Sequence, residues 1–291
     1  MKSFRPERAR LLHEVRATVH LALPLIAAQL AAIGSNVIDA LLAGHVSAHL
    51  LGAVAVGASI WSLAIVSGIG MRMAVPPSVA QLDGAGRRHE VGAVFRQALW
   101  LALGMGIVLW FAVRHAAPLI DLIGVTPSLR DDVQRFLLAI SWGAPALTCY
   151  FALRGLSEGL SLTRPSMYFS LGGLVLLVPL GYVLMFGKLG IPPQGAHGCG
   201  VATAIVLWLE MLAFGIYVVF RRNYRGLGLF ERFEWPDLRR IGQLLHIGLP
   251  MTVTLLAEAG LFVATALIIA TLGESVIASH QIAINIASFF F

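Results

Sequence analysis

Two carboxylates stand where their neighbours along the chain cannot solvate them. Glu258 lies within Leu255-Leu256-Ala257-Glu258-Ala259-Gly260-Leu261 with no cation within a helical turn, and Asp39 follows Asn36 by three positions in a largely apolar run. An acid at the centre of a bilayer costs about 2.5 to 3.5 kcal/mol on insertion scales and survives mainly where it faces a cavity or a partner. The chemistry such a group can do is reversible binding of a cation or a proton. Glu258 therefore reads as an ion-coupling residue, with a sodium ion as a candidate occupant, against the alternative of a structural carboxylate in a helix contact. Asp39, Asn36, Ser35 and Gln29 form a polar stripe on one helix, since residues three and four apart are neighbours on its surface. The stripe reads as the wall of a water-filled cavity, and the alternative for Asp39 is a place at headgroup level. His280 and Gln281 are weighed as further cavity residues. Arg154 and Glu158, spaced i, i+4, read as a structural ion pair, and Gly155 with Gly159 as a small-xxx-small packing face.

Enzyme signatures fail. His13-Glu14 and His89-Glu90 lack the second histidine of a zinc helix, and neither a nucleophile elbow nor a phosphate loop is present, which leaves no sign of ATP chemistry. Two cysteines, Cys149 and Cys199, are too few for a disulfide framework or a four-ligand zinc site.

The elements that must position these residues are membrane helices. At 58% hydrophobic and 12% charged, with mean hydropathy +0.81, the chain departs from soluble domains, where roughly 25% of residues are charged. Continuous apolar runs of the length a bilayer needs occupy about 15–44, 50–76, 93–113, 132–153, 167–187, 199–220 and 241–272, and another begins near 276. Such runs are too long and unbroken for the alternating strands of a barrel. Sixteen of the 21 Lys and Arg fall in segment 1–16, in the 87–96 stretch that follows the second run, or in the connections after the fourth and sixth runs. By the positive-inside rule the N-terminus and those connections are cytoplasmic, so the net charge of +6 marks topology rather than nucleic acid as a partner.

Shifting the sequence on itself by 226 residues superposes His20 on His246, Leu23 on Leu249, Pro24 on Pro250, Leu30 on Leu256, Ala31 on Ala257, Gly34 on Gly260, Ala40 on Ala266 and Leu41 on Leu267. Six runs separate the copies, so both enter the bilayer from the same side as parallel repeats. The expected organisation is a cytoplasmic segment 1–14, a six-helix lobe 15–220, a basic cytoplasmic linker 221–240 and the start of a second lobe, 241–291. The second copy holds fewer than two helices, which implies a parent of about twelve spans from which this chain is an N-terminal part. Pro24 and Pro250 read as repeat-related structural positions.

Five sets of residues stand out: Leu23-Pro24 with Val37-Ile38-Asp39 and Ala43-Gly44; Val79-Ala80-Gln81 with Gly84-Ala85-Gly86-Arg87; Arg154-Gly155-Leu156-Ser157-Glu158-Gly159 with Thr163-Arg164-Pro165; Gly198-Cys199-Gly200-Val201-Ala202-Thr203-Ala204; and Ala278-Ser279-His280-Gln281. In these the sequence resembles the multidrug and toxic compound extrusion (MATE) family, in its NorM-like bacterial branch. The resemblance implies an all-α polytopic fold of two six-helix lobes in the inner membrane. It also implies export of cationic or amphipathic organic compounds by alternating access, driven by sodium ions or protons, with no other cofactor. Asp39 is carried over as the carboxylate of the first lobe and Glu258 as a cation-site residue of the second. Relatives usually place asparagines two residues before and after the proline at 179, whereas Leu177 and Gly181 stand here. Rival expectations are a lipid-linked oligosaccharide flippase of the same superfamily and a membrane interaction protein without transport.

Overall fold

The computed structural model describes residues 5–270 except 124, 191 and 230; within the helices, it does not describe the side chains of 5–10, 12–13, 64, 67–72, 119, 122–123, 255–256, 258–260 and 262–270. Every regular element among the described residues is helical: α1 (Arg5–Val46), α2 (Ala48–Gly84), α3 (Arg88–Arg114), α4 (Ala117–Ile123), α5 (Pro127–Ile140), α6 (Ala144–Gly159), α7 (Arg164–Phe186), α8 (Gly195–Phe220) and α9 (Leu238–Ala270). Five stretches are long and apolar enough to cross a membrane, namely Glu14–Val46, Arg88–Arg114, Pro127–Gly159, Arg164–Phe186 and Gly195–Phe220, and Ala48–Leu63 within α2 is a shorter apolar one.

Local chemistry sets the boundaries. The hydroxyl of Ser47 caps α2 by accepting from the Leu50 N–H at 3.0 Å, satisfying one of the donors a helix start leaves free. Gly187 ends α7 in the left-handed region at φ 70°, which a side chain would resist, and a Cβ there would also strike Pro193. The fourth apolar run is longer than its hydropathy suggests and is broken. A 3₁₀ turn at Ser141–Gly143 joins α5 to α6, where Pro145 in the first turn of α6 has no N–H to continue the ladder. The short α4 is also new, lying in a connection that the apolar runs leave blank.

Packing differs sharply among these rods. In the fourth, 78% of the most apolar window is buried, against 17% in α1, so α5 and α6 form the centre and α1 the margin. Leu23, Ile26, Leu30, Ile33, Val37 and Leu41 form an exposed stripe along α1. α1 packs on α7 and α2, α7 on α8, α8 on α5 and α6, and α3 on α6 and α2. Gly155 and Gly159 let α6 approach α2 closely; a Cβ on Gly159 would lie 2.6 Å from Val79 Cβ, and one on Gly155 2.9 Å from Val75 Cβ. The small-xxx-small face is thus a real helix contact.

Contacts between distant segments establish the two ends of the bundle. At one end Arg164 Nη2 donates to His20 Nε2 at 2.6 Å, and the hydroxyls of Ser157 and Tyr224 lie 2.9 Å apart. At the other, His49 Nε2 is 3.3 Å from Asp132 Oδ2, and Arg130 Nη2 donates to Asp121 Oδ2 at 2.8 Å. The segment expected as a linker at 221–240 gives way to α9 at Leu238, and its preceding residues are docked on α3. Arg96 donates through Nη1 to the carbonyls of Gly228 and Leu229 and through Nη2 to Glu234 Oε1 at 2.7 Å. Gln97 Nε2 donates to Trp235 O at 3.1 Å and its Oε1 accepts from the Asp237 N–H at 2.7 Å, while Trp100 Nε1 donates to Glu234 O at 2.9 Å. The backbone crosses α3 at Gly92, where any Cβ would overlap the carbonyls of Leu227 and Gly228.

This clamp makes a prediction. The hydrogen bond from Arg96 is the main influence holding the Glu234 carboxyl below the usual carboxylate range. A depressed carboxylate stabilises the docked state above its unfolded pKa and loses that contribution as pH falls through the folded value. Arg96→Ala should therefore expose the segment at neutral pH, with trypsin cutting after Arg225 and Arg232 several-fold faster than in the wild type. Acidification should accelerate cleavage by an acid-active protease in the wild type more than in the variant. Equal neutral-pH cleavage rates would mean that the apolar contacts of Tyr224, Leu227 and Leu229 hold the segment without Arg96.

Candidate functional site

The helical periods of α1 and α8 bring their polar residues to one place. On α8, Thr203, Val206, Leu207 and Glu210 recur at the i, i+3, i+4, i+7 spacing of a single face, and Gln29, Ala32, Ile33 and Asn36 do the same on α1, with Ser35 beside them. Together with Trp61 and Ser62 of α2, Tyr150, Phe151 and Arg154 of α6, and Ser170 and Leu177 of α7, they line a cavity of about 330 Å³. The cavity lies among five helices of the same lobe.

Asp39 sits at its margin, only 8% exposed. Thr203 Oγ1 lies 3.3 Å from Asp39 Oδ2 and 3.1 Å from the Cys199 carbonyl. That hydroxyl has one proton for two acceptors. Asp39 Oδ1 finds no hydrogen-bond partner among the described residues, an arrangement costly for a buried polar atom. The groups placed against the aspartate are thus the Thr203 hydroxyl and the Cys199 thiol.

A second polar group occupies the wall formed by α6, α7 and α8. The Tyr150 hydroxyl and Ser170 Oγ lie 2.8 Å apart. Arg154 Nε donates to Glu158 Oε1 at 2.5 Å, with the two side chains 6% and 18% exposed. Glu210 reaches across to α7, where its Oε1 lies against Gly173 so closely that any Cβ there would overlap it. Arg154 is near enough to act on Glu210 through its field, but no ion pair or hydrogen bond joins Glu210 to another described residue.

Gln29 and Asn36 line the cavity as the polar stripe implies, and Asp39 lies beside it. Arg154 and Glu158 form the expected pair, yet Arg154 also faces the cavity. Leu177 stands in the wall and gives it apolar surface, and Gly181 abuts Leu42. Pro24 is buried within α1 and Pro250 exposed within α9, neither lining the cavity. Glu258 falls on α9, but its side chain lies outside the described residues, as do His280 and Gln281 altogether. The sequence reading passed over Tyr150, Ser170, Thr203 and Glu210. Glu210 had a signal: it is a carboxylate in the middle of an apolar run, the same feature that singles out Glu258.

Comparison with known proteins fits this geometry. The MatE family model matches residues 24–183. The chain is 44% identical over 278 residues to a probable multidrug resistance protein NorM of Xanthomonas campestris pv. campestris, covering 96% of this chain and 61% of that protein. It is 40% identical over 286 residues to the multidrug resistance protein PmpM of Pseudomonas aeruginosa, covering 97% and 59%. The chain therefore spans about 60% of the length of such curated relatives. Among solved structures it is similar to the MATE transporter NorM-NG in complex with a dye and a monobody, with TM-score 0.71 and 31% identity over 92% of this chain and 59% of that one. A MATE structure in the bent conformation superposes with TM-score 0.82 at 19% identity, covering 94% and 60%, which shows likeness of fold.

Proposed function

This chain belongs to the MatE family, and on that premise we propose that it supplies the first lobe, and the start of the second, of an ion-coupled exporter of organic cations. The observation that carries the reading is Asp39. A carboxylate is buried beside a polar cavity, inside helices that are otherwise apolar, with one oxygen lacking a partner among the described residues. Burying an acid in that setting costs several kcal/mol, roughly, unless it is compensated, and the reversible arrival of a cation or proton is a compensation that couples to transport.

The neighbours of the carboxylate, a hydroxyl and a thiol, favour a proton over sodium at Asp39. A hard cation seeks a shell of several oxygens, and Leu177 and Gly181 contribute none. A proton needs less. Protonated Asp39 can donate to Thr203 Oγ1, which then gives its own proton to the Cys199 carbonyl. Glu258, in the second copy of the repeat, is assigned the main coupling-ion site, with sodium or a proton as occupant. Alternating access would open the cavity to one side of the inner membrane and then to the other. The distribution of Lys and Arg supports a cytoplasmic N-terminus.

Dye export tests the reading. Pump-deficient cells expressing the gene in its native coding context should hold less ethidium than vector controls, and an ionophore that collapses the ion gradients should erase the difference. Asp39→Asn should weaken export several-fold rather than abolish it, because the first-lobe site lacks the asparagines expected beside it. Dye retention equal to the vector control in energised cells expressing the protein at the membrane would overturn the proposal.

A further inference from the structure

We infer that Glu210, rather than Asp39, is the acid that receives the positive charge of an organic cation in this cavity. The inference rests on the export reading above and assigns the two carboxylates separate tasks.

Access distinguishes them first. Glu210 is part of the cavity wall, partly exposed to the space, whereas Asp39 is 8% exposed and set behind Thr203. A bulky cation can reach the former without the helices parting. Charge distinguishes them next. Arg154 is the one cationic side chain among the described wall residues, and its Nε is committed to Glu158 Oε1 at 2.5 Å. That pair is neutral together, so Glu210, which feels Arg154 only through its field, is the acid of the wall left to ionise opposite an arriving cation. In a space walled by apolar helices a charge acts far more strongly than in water, and it attracts the opposite sign into the cavity.

The surfaces around the acid suit a cation with an aromatic or apolar body. Trp61, Tyr150 and Phe151 line the same cavity, and the faces of such rings attract cations held within about 6 Å. The volume of about 330 Å³ lies at the lower end of the range for drug-sized ligands. Gly173 completes the arrangement. The acid lies across α7 only because residue 173 has no side chain, so a methyl group there would push the carboxylate away without removing it.

The test is direct binding to the protein expressed from its native coding context and purified in detergent, with ethidium as the cation and N-phenyl-1-naphthylamine as a neutral aromatic probe, both read by fluorescence. Glu210→Gln should weaken ethidium binding roughly tenfold or more, the scale of one partly desolvated charge pair, and leave the neutral probe unchanged. Glu210→Asp should keep part of the affinity. Gly173→Ala, which retains the acid but displaces it, should weaken ethidium several-fold and thereby report on the site even if the glutamine variant misfolds. Equal ethidium affinity in wild type and a folded Glu210→Gln would overturn the inference and leave the export reading intact. Equal loss of both probes would also overturn it, by showing that Glu210 shapes the cavity. Failure of the wild type to bind ethidium would count against both the organic-cation reading and this one.

Discussion

Ion-driven export should collapse in Glu258→Gln while membrane insertion survives. The substitution keeps the size of the side chain and removes its ability to carry charge, so an effect confined to coupling separates an ion site from a packing site. Glu258 lies near the middle of α9, flanked by Ala257, Ala259 and Gly260. A helix rises 1.5 Å per residue, which puts this position close to the centre of a bilayer crossing. An acid there costs about 2.5 to 3.5 kcal/mol on insertion scales, and no neighbour along its own helix offers a compensating cation. Reconstituted protein expressed from its native coding context, energised by a sodium or proton gradient, should therefore take up ethidium in the wild type and fall to the level of empty liposomes in the variant. Asp39→Asn should fall less far. Unchanged uptake in Glu258→Gln would make the glutamate a structural group and leave the coupling ion without a site on this helix.

Arg154→Ala should strongly destabilise the first lobe. Its guanidinium is 6% exposed and holds Glu158 at 2.5 Å on α6, the most buried rod of the structure. Removing one partner of a buried pair costs about 3 to 5 kcal/mol, because the remaining charge is left without compensation. Here Glu158 keeps 18% exposure, which points to the lower end of that range. The loss of the long side chain also opens the cavity wall. Thermal unfolding in detergent should show the drop, and the double variant Arg154→Met, Glu158→Leu should recover most of it by replacing the pair with apolar volume. A cost under about 1 kcal/mol for Arg154→Ala, below the usual cost of a lost charged hydrogen bond, would show that water in the cavity solvates Glu158 adequately.

The sequence alone determined the class of the protein, the positions of its long helices and two of its acids. Twenty-residue apolar runs have one stable solution in a bilayer, because only helices and closed barrels satisfy every backbone polar group there. Asp39, Gln29 and Asn36 were legible for the same reason: polar groups stand out against a background selected to be apolar. Gly155 and Gly159 were legible because close helix approach in lipid demands small residues. Tertiary structure alone decided what these residues meet. The apolar stripe of Leu23 to Leu41 on α1 and the buried residues of α6 have similar hydropathy, since lipid and protein interior are alike as solvents, so no periodicity tells a margin from a centre. For that reason the convergence of Tyr150, Ser170, Thr203 and Glu210 from three helices stayed hidden, as did the clamp of Arg96, Gln97 and Trp100 on a segment more than 130 residues away. Local sequence fixes which groups must avoid lipid; only the packing of helices distant along the chain fixes which of them share a cavity.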